Sequence, residues 1–194
     1  MQQLCVIVLG CYRSGTSAVA GVLHNLGVYM GGQFDQPNEN NQYGFWEDIE
    51  FKKFHDDMFH GKLEDLNDYI SLIRNREEKN IIWGIKDPYL CTFLPTFSKH
   101  VKIAKKLIIC RRSAEDISKS MNKAITGQED SERFLPLAEH YLEELDRSAN
   151  SYTGPVLEIW YDNLISDPEK CVKNIADFVG LPVNDEAVSH IKRK

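Results

Sequence analysis

The chain has 194 residues, 42% of them hydrophobic and 27% charged, which suits one compact domain with a buried core and leaves no length for a second full domain. Its formal net charge of −6 argues against a general nucleic-acid binder, which needs a basic face to displace counterions from phosphates. A local basic pocket is still compatible with that balance.

The chain opens on an apolar run, Leu4 to Leu9, that ends at Gly10 and has no basic flank ahead of it. It is far shorter than the roughly 18 to 20 residues that cross a bilayer, so it reads as a strand buried on both faces of a parallel sheet. No other apolar stretch approaches that length, and the expectation is a cytoplasmic protein without a transmembrane segment. Val19, Val22, Leu23 and Leu26 then recur at helical spacing, with Gly27 as the stop. Residues 28–46 are rich in Gly, Asn, Gln and Pro and form a long loop, of the kind that is functional or disordered in a compact domain. Polar helices are expected around 47–60 and 63–77.

A second apolar run, 81–85, leads into Lys86-Asp87-Pro88, and 90–99 reads as helix despite Pro95. The strand expected over 106–110 runs directly into Arg111 and Arg112, followed by a helix over 114–124. Residues 131–150 make the clearest amphipathic helix, with Phe134, Ala138, Tyr141 and Leu145 on one stripe. Strand 156–160 follows. Ser166 and Glu169 then have capping-box spacing, Pro168 suits a first helical turn, and Gly180 with Pro182 marks the stop.

Strands alternating with helices imply an α/β fold: a three-layer sandwich with a mainly parallel central sheet, in a single domain over 1–194. Ligands of such sheets sit outside the carboxyl ends of the strands, so Arg13, Lys86 and Arg112, each just after a strand, are expected to converge. The five cysteines are odd in number, scattered and without a CxxC pair, and read as reduced thiols. Cys5 and Cys110, inside apolar runs, behave as small hydrophobes.

Gly10, Gly15 and Ser17 fit GxxxxGx[ST] between a strand and a helix, the setting a P-loop requires. Backbone N–H groups of such a turn point inward and form an anion site, and glycine lets the backbone come close to phosphate. A kinase P-loop carries lysine where this chain has Thr16. The cation here is Arg13, presented from the crest of the turn, which suits a single phosphate and its leaving bond better than a magnesium–triphosphate.

GCYRSGTS (10–17) resembles the 5′-phosphosulfate loop of sulfotransferases that use 3′-phosphoadenosine 5′-phosphosulfate (PAPS). Arg112 to Ser120, after a strand, resembles the strand–helix by which that family holds the 3′-phosphate. Lys86-Asp87-Pro88-Tyr89 is similar to the KDP segment of tyrosylprotein sulfotransferases and their bacterial relatives, and YDNLISDPEKCVKNIADFVGLP (161–182) is similar to a later family region. The resemblance spans about residues 4 to 182, although 48–80 and 121–152 align only by position. It departs at the end: the RKGxxGxW loop of cytosolic sulfotransferases has no counterpart, and His190-Ile-Lys-Arg-Lys194 either substitutes for it or, the favoured reading, is ordinary solvated charge.

The resemblance implies a P-loop NTPase-like sulfotransferase fold and an enzyme that moves a sulfuryl group from PAPS to a hydroxyl or amine acceptor, releasing PAP, without metal. Arg13 is then expected at the 5′-phosphate and bridging oxygen, with Ser14, Gly15, Thr16 and Ser17 completing the cradle. Arg112 and Ser120 would hold the 3′-phosphate. Arg111 points to the opposite side if the strand continues through it, and reads as a salt-bridging residue. Lys86 is either the second catalytic cation or a lysine paired structurally with Asp87. Tyr161 either contacts adenine or packs on the core.

Glu47 is the expected general base, its proton affinity raised beside Phe45 and Trp46; the alternative is an acid favoured by a helix dipole. His55 is the alternative base, and His55 and His60 are too isolated to be metal ligands. A small-molecule, glycan or lipid hydroxyl is the expected acceptor, with neutral sugars, lipids and small alcohols favoured over a polyanionic glycan. Two other readings are a P-loop nucleotide or small-molecule kinase and an inactive PAP-binding scaffold.

Overall fold

The structure is a computed structural model that describes residues 2–35, 37, 41, 44–128 and 132–192. Its centre is a sheet of β1 (Leu4–Leu9), β2 (Ile82–Lys86), β3 (Ala104–Arg111) and β4 (Val156–Trp160) in the order β2-β1-β3-β4. Every neighbouring pair is parallel. All six residues of β1 are buried, because helices cover both faces of the sheet, and its unbroken apolar run has that physical cause.

Alternation along β1 divides the core in two. Val6 and Val8 face α1 (Thr16–Asn25), α8 (Pro168–Val179) and α9 (Asp185–Lys192), packing with Val19, Val22, Val172 and Ile191. Cys5, Ile7 and Leu9 face the other way, onto Phe51 of α2 (Ile49–Phe59), Ile73 of α3 (Asn67–Lys79), Leu94 of α4 (Leu90–His100) and Leu145 of α6 (Leu135–Ser151). The result is the expected three-layer α/β sandwich, with an all-parallel sheet. α5 (Ala114–Thr126) follows β3, and α7 (Tyr161–Ser166) follows β4 directly.

Pro95 lies inside α4 and cannot donate to the Cys91 carbonyl one turn earlier. The Ser148 hydroxyl of α6 donates to that carbonyl instead, which lets the helix continue. The cap of α8 differs from the capping box expected at Ser166. Ser166 is taken up as the last residue of α7, and Asp167 caps α8 by accepting the Lys170 amide at 3.2 Å.

The described part of the basic end is helical, with Lys192 exposed. It folds as α9, burying His190 against α1, where a Cβ on Gly21 would meet His190 Nε2 at 2.0 Å. Lys192 pairs with exposed Glu169 at 2.6 Å. Residue 131, where the long amphipathic helix was expected to begin, lies outside the described residues, as do 193 and 194. All five cysteines are free and buried. Among the described residues no helix is long and apolar enough to cross a membrane.

Candidate functional site

The carboxyl ends of β1, β2 and β3 open into one cavity of about 710 Å³. Arg13, Gly15, Thr16, Ser17, Glu47, Lys86, Arg112, Ser120 and Tyr161 all line it. Of the residues expected to catalyse or to bind the donor, Ser14 and the alternative base His55 stand apart from that lining.

The loop from Gly10 to Ser17 folds back on its own start: a Cβ on Gly10 would meet Ser14 Oγ at 2.5 Å and Thr16 Cγ2 at 2.6 Å. Ser14 serves this turn. Its hydroxyl donates to the Cys11 carbonyl at 2.6 Å and its amide to the same oxygen at 3.2 Å, so neither group is directed to the cavity. Gly15 is the N-cap of α1 at φ 94° and supplies no side-chain cap. The first-turn amides of α1 are therefore open to an anion at the positive end of the helix.

Arg13 occupies the crest with φ 66°, a left-handed conformation that costs an L-residue about 1–2 kcal/mol. Its Nε donates to Ser120 Oγ at 3.0 Å. Arg112 approaches the same loop: Nη1 donates to the Arg13 carbonyl at 2.9 Å, and its guanidinium stacks 4.2 Å from the centroid of the Tyr161 ring. Among the described residues Arg112 Nε is buried without a hydrogen-bond partner. Burial, and then the neighbouring Arg112 charge, hold Arg13 below the usual arginine range. Two guanidinium groups brought together in this way form a site whose electrostatics favour an anion between them.

Tyr161 is the first residue of α7, and its ring lies over Gly15, where a Cβ would meet Cδ2 at 2.7 Å. Only glycine satisfies both that approach and the positive φ. Arg111, on the opposite side of β3, is tied to Asp146 and, at 2.9 Å, to Glu158, as the alternation of the strand predicts.

On the far side of the cavity, buried Lys86 donates to Glu47 Oε1 at 2.6 Å and to the Phe45 carbonyl at 3.1 Å. Its partner is thus Glu47, and Asp87 instead meets His55 at 2.8 Å. The surroundings of Glu47 are not the apolar setting expected from Phe45 and Trp46: its second oxygen lies 3.8 Å from Lys52. Trp46 turns through φ 56° and packs its ring on His24 and Phe34, so the indole is directed away from the carboxylate.

Sequence reasoning missed Lys52, Asn41 and the backbone carbonyl of Phe45. Lys52 sits on α2 just beyond Glu47 and pairs with Asp35, whose carboxylate raises the ammonium above its usual range while burial opposes the shift. The Phe45 carbonyl accepts Lys86 and, at 3.3 Å, the Ser17 hydroxyl, which also accepts Asn41 Nδ2 at 3.2 Å. Lys52 lies five residues past Glu47, off the three- and four-residue spacings at which helical side chains meet, and Glu47 precedes the helix, so neither it nor a backbone carbonyl left a signal in the sequence.

Comparisons with known proteins bear on the family through the sequence and on the fold through solved structures. The profile described as "Sulfotransferase domain" matches residues 5–194. The sulfotransferase domain of the Synechococcus PCC 7002 olefin synthase superposes with a TM-score of 0.64 at 16% identity, covering 96% of this chain and 76% of that one. Sulfotransferase STF1 of Mycobacterium tuberculosis H37Rv gives 0.59 at 17% identity, over 100% of this chain and 72% of the other. STF9 of Mycobacterium avium gives 0.55 at 16% identity, over 99% and 67%. No curated protein matches the sequence.

Proposed function

The chain belongs to the sulfotransferase domain family, and from that premise we propose that it transfers a sulfuryl group from PAPS to a hydroxyl or amine acceptor and releases PAP. The observation that carries this reading is the pairing of Arg13 and Arg112 in one cavity, joined through the Arg13 carbonyl and linked to Ser120. Arg13, next to the helix N-terminus, reaches Ser120, and Arg112 stands behind it on the Arg13 carbonyl, so two cations border one cavity, which suits a nucleotide with more than one phosphate.

Two features of the chain fit the donor. The first turn of α1 has no side-chain cap on its amides, and buried Arg112 Nε has a donor to give. Bound there, PAPS would supply an activated sulfuryl group with a phosphate as its leaving group. Arg13, Thr16, Ser17 and the first-turn amides would hold the 5′ end and stabilise charge on the leaving oxygen. Arg112 and Ser120 would hold the 3′-phosphate, and Tyr161 would border the adenine.

Lys86 is assigned as the second cation and Glu47 as the base that takes the proton of the acceptor. Both line the cavity and stand within hydrogen-bonding distance of each other. The guanidinium groups take the part that magnesium plays for a triphosphate, and no metal is required. The acceptor is a small molecule, glycan or lipid, bound without nucleic acid. Five buried free thiols suit the reducing cytoplasm.

The test is a thermal-shift comparison of PAP, AMP, ADP and ATP, each with and without magnesium. PAP is expected to stabilise most and to need no metal. Equal shifts for PAP and AMP would remove the 3′-phosphate assignment, and a larger, magnesium-dependent shift with ATP would favour a kinase. PAP binding with no turnover of PAPS over a broad acceptor panel would point to the scaffold reading.

A further inference from the structure

His55 has no exposed surface. Its Nδ1 lies 2.8 Å from Asp87 Oδ2 and its Nε2 lies 3.0 Å from the Tyr69 hydroxyl. An ionised carboxylate only accepts, so Nδ1 carries the proton of the first bond. Burial, and then Asp87, push the Tyr69 hydroxyl well up, which keeps its proton available to Nε2. Phe51 and Phe93 stack on the ring with centroids 6.2 and 6.3 Å away. Both nitrogens are engaged and the imidazole does not reach the cavity, so it is badly placed to take a proton from an acceptor.

Its place in the fold is mechanical. Asp87 directs its other oxygen to the Tyr89 amide at 2.9 Å, and the Tyr89 ring stacks on Phe59 at the far end of α2, with centroids 4.7 Å apart. α2 is thereby fastened at two points to the turn that begins at Lys86. The same helix starts directly after Glu47 and its cap, Asp48. Anything that lets α2 slide against this turn changes the separation of Glu47 and Lys86.

We propose that His55 is a positioning residue that acts through Asp87 to hold Glu47 and Lys86 in register for sulfuryl transfer. The inference rests on the donor and base assignments above. It predicts a role for the hydrogen bond to Asp87 and none for proton exchange with the acceptor.

The test compares His55→Asn, whose amide can still donate to Asp87, with His55→Ala. Three readouts are taken: crystal structures of both variants, PAP affinity by calorimetry, and turnover of PAPS with 2-naphthol as acceptor probe. In His55→Ala the Glu47–Lys86 pair is expected to open beyond hydrogen-bonding distance and turnover to fall roughly 100-fold, the scale of loss from a misplaced reacting group. In His55→Asn the pair should stay closed, with turnover within about threefold of the parent and a pH–rate profile that superimposes on it through the range where imidazoles titrate. PAP affinity should be unchanged in both. If His55→Ala does not fold, His55→Gln, whose longer amide reaches toward Tyr69, takes its place.

An unopened pair in the alanine or glutamine variant overturns the proposal. So does an asparagine variant that keeps the pair closed yet loses as much turnover as alanine. A parent protein that fails to bind PAP defeats the donor reading, while the Glu47–Lys86 separation in the variants still decides the part played by His55.

Discussion

Arg13 and Ser120 lie 107 positions apart, and Arg13 Nε donates to Ser120 Oγ at 3.0 Å. The bond joins the crest of the loop after β1 to the helix after β3. In the proposed nucleotide site this one guanidinium would border both phosphate subsites.

Arg13→Ala and Arg13→Gly should both lower sulfuryl transfer by about 100-fold or more, since each removes the cation proposed to stabilise the leaving oxygen. Their stabilities should differ. Residue 13 sits at φ 66°, where alanine is strained and glycine is not, so the glycine variant should be more stable than the alanine variant by about 1 kcal/mol in urea unfolding.

Arg112→Ala should weaken PAP by roughly 10- to 100-fold, as expected for losing about 1.5–3 kcal/mol of charge-assisted hydrogen bonding, and leave AMP nearly unchanged. Calorimetry with both nucleotides checks it. Equal losses for PAP and AMP would mean that Arg112 acts by supporting the loop through the Arg13 carbonyl.

Gly15→Ala should destabilise the fold by about 2 kcal/mol, from the left-handed backbone and the push on Tyr161 together. Adding Tyr161→Ala should recover only the steric part. A double variant as stable as the parent would show that the backbone angle at residue 15 carries no strain.

Glu47→Ala leaves Lys86 buried without its carboxylate and should cost about 3 kcal/mol in urea unfolding. Lys86→Met should cost less, because Lys52 remains 3.8 Å from Glu47. The double variant should be more stable than Glu47→Ala alone, since the orphaned charge is gone. A double variant that simply adds the two losses would rule out a coupled pair.

β1 was legible because a strand buried on both faces must be apolar throughout, and Leu4 to Leu9 meets that demand without reference to the rest of the chain. Convergence of Arg13, Lys86 and Arg112 followed from strand direction alone. The partner of Lys86 did not. Asp87 is its sequence neighbour, but consecutive side chains leave a strand on opposite sides, and Glu47 reaches Lys86 from 39 positions away once α2 has docked. The two short helices α7 and α9 were also illegible, since 6 and 8 residues carry too few turns to show a period.

The central place of β1 has a consequence for biosynthesis. Its partner β3 begins at Ala104, and the ring that covers Gly15 belongs to Tyr161, so a nascent chain stopped before β4 lacks the stack on which the loop rests. Parallel pairings this distant in sequence close slowly. Because a nucleotide that favours the finished molecule draws the population toward it, PAP added during refolding should raise the yield of competent protein.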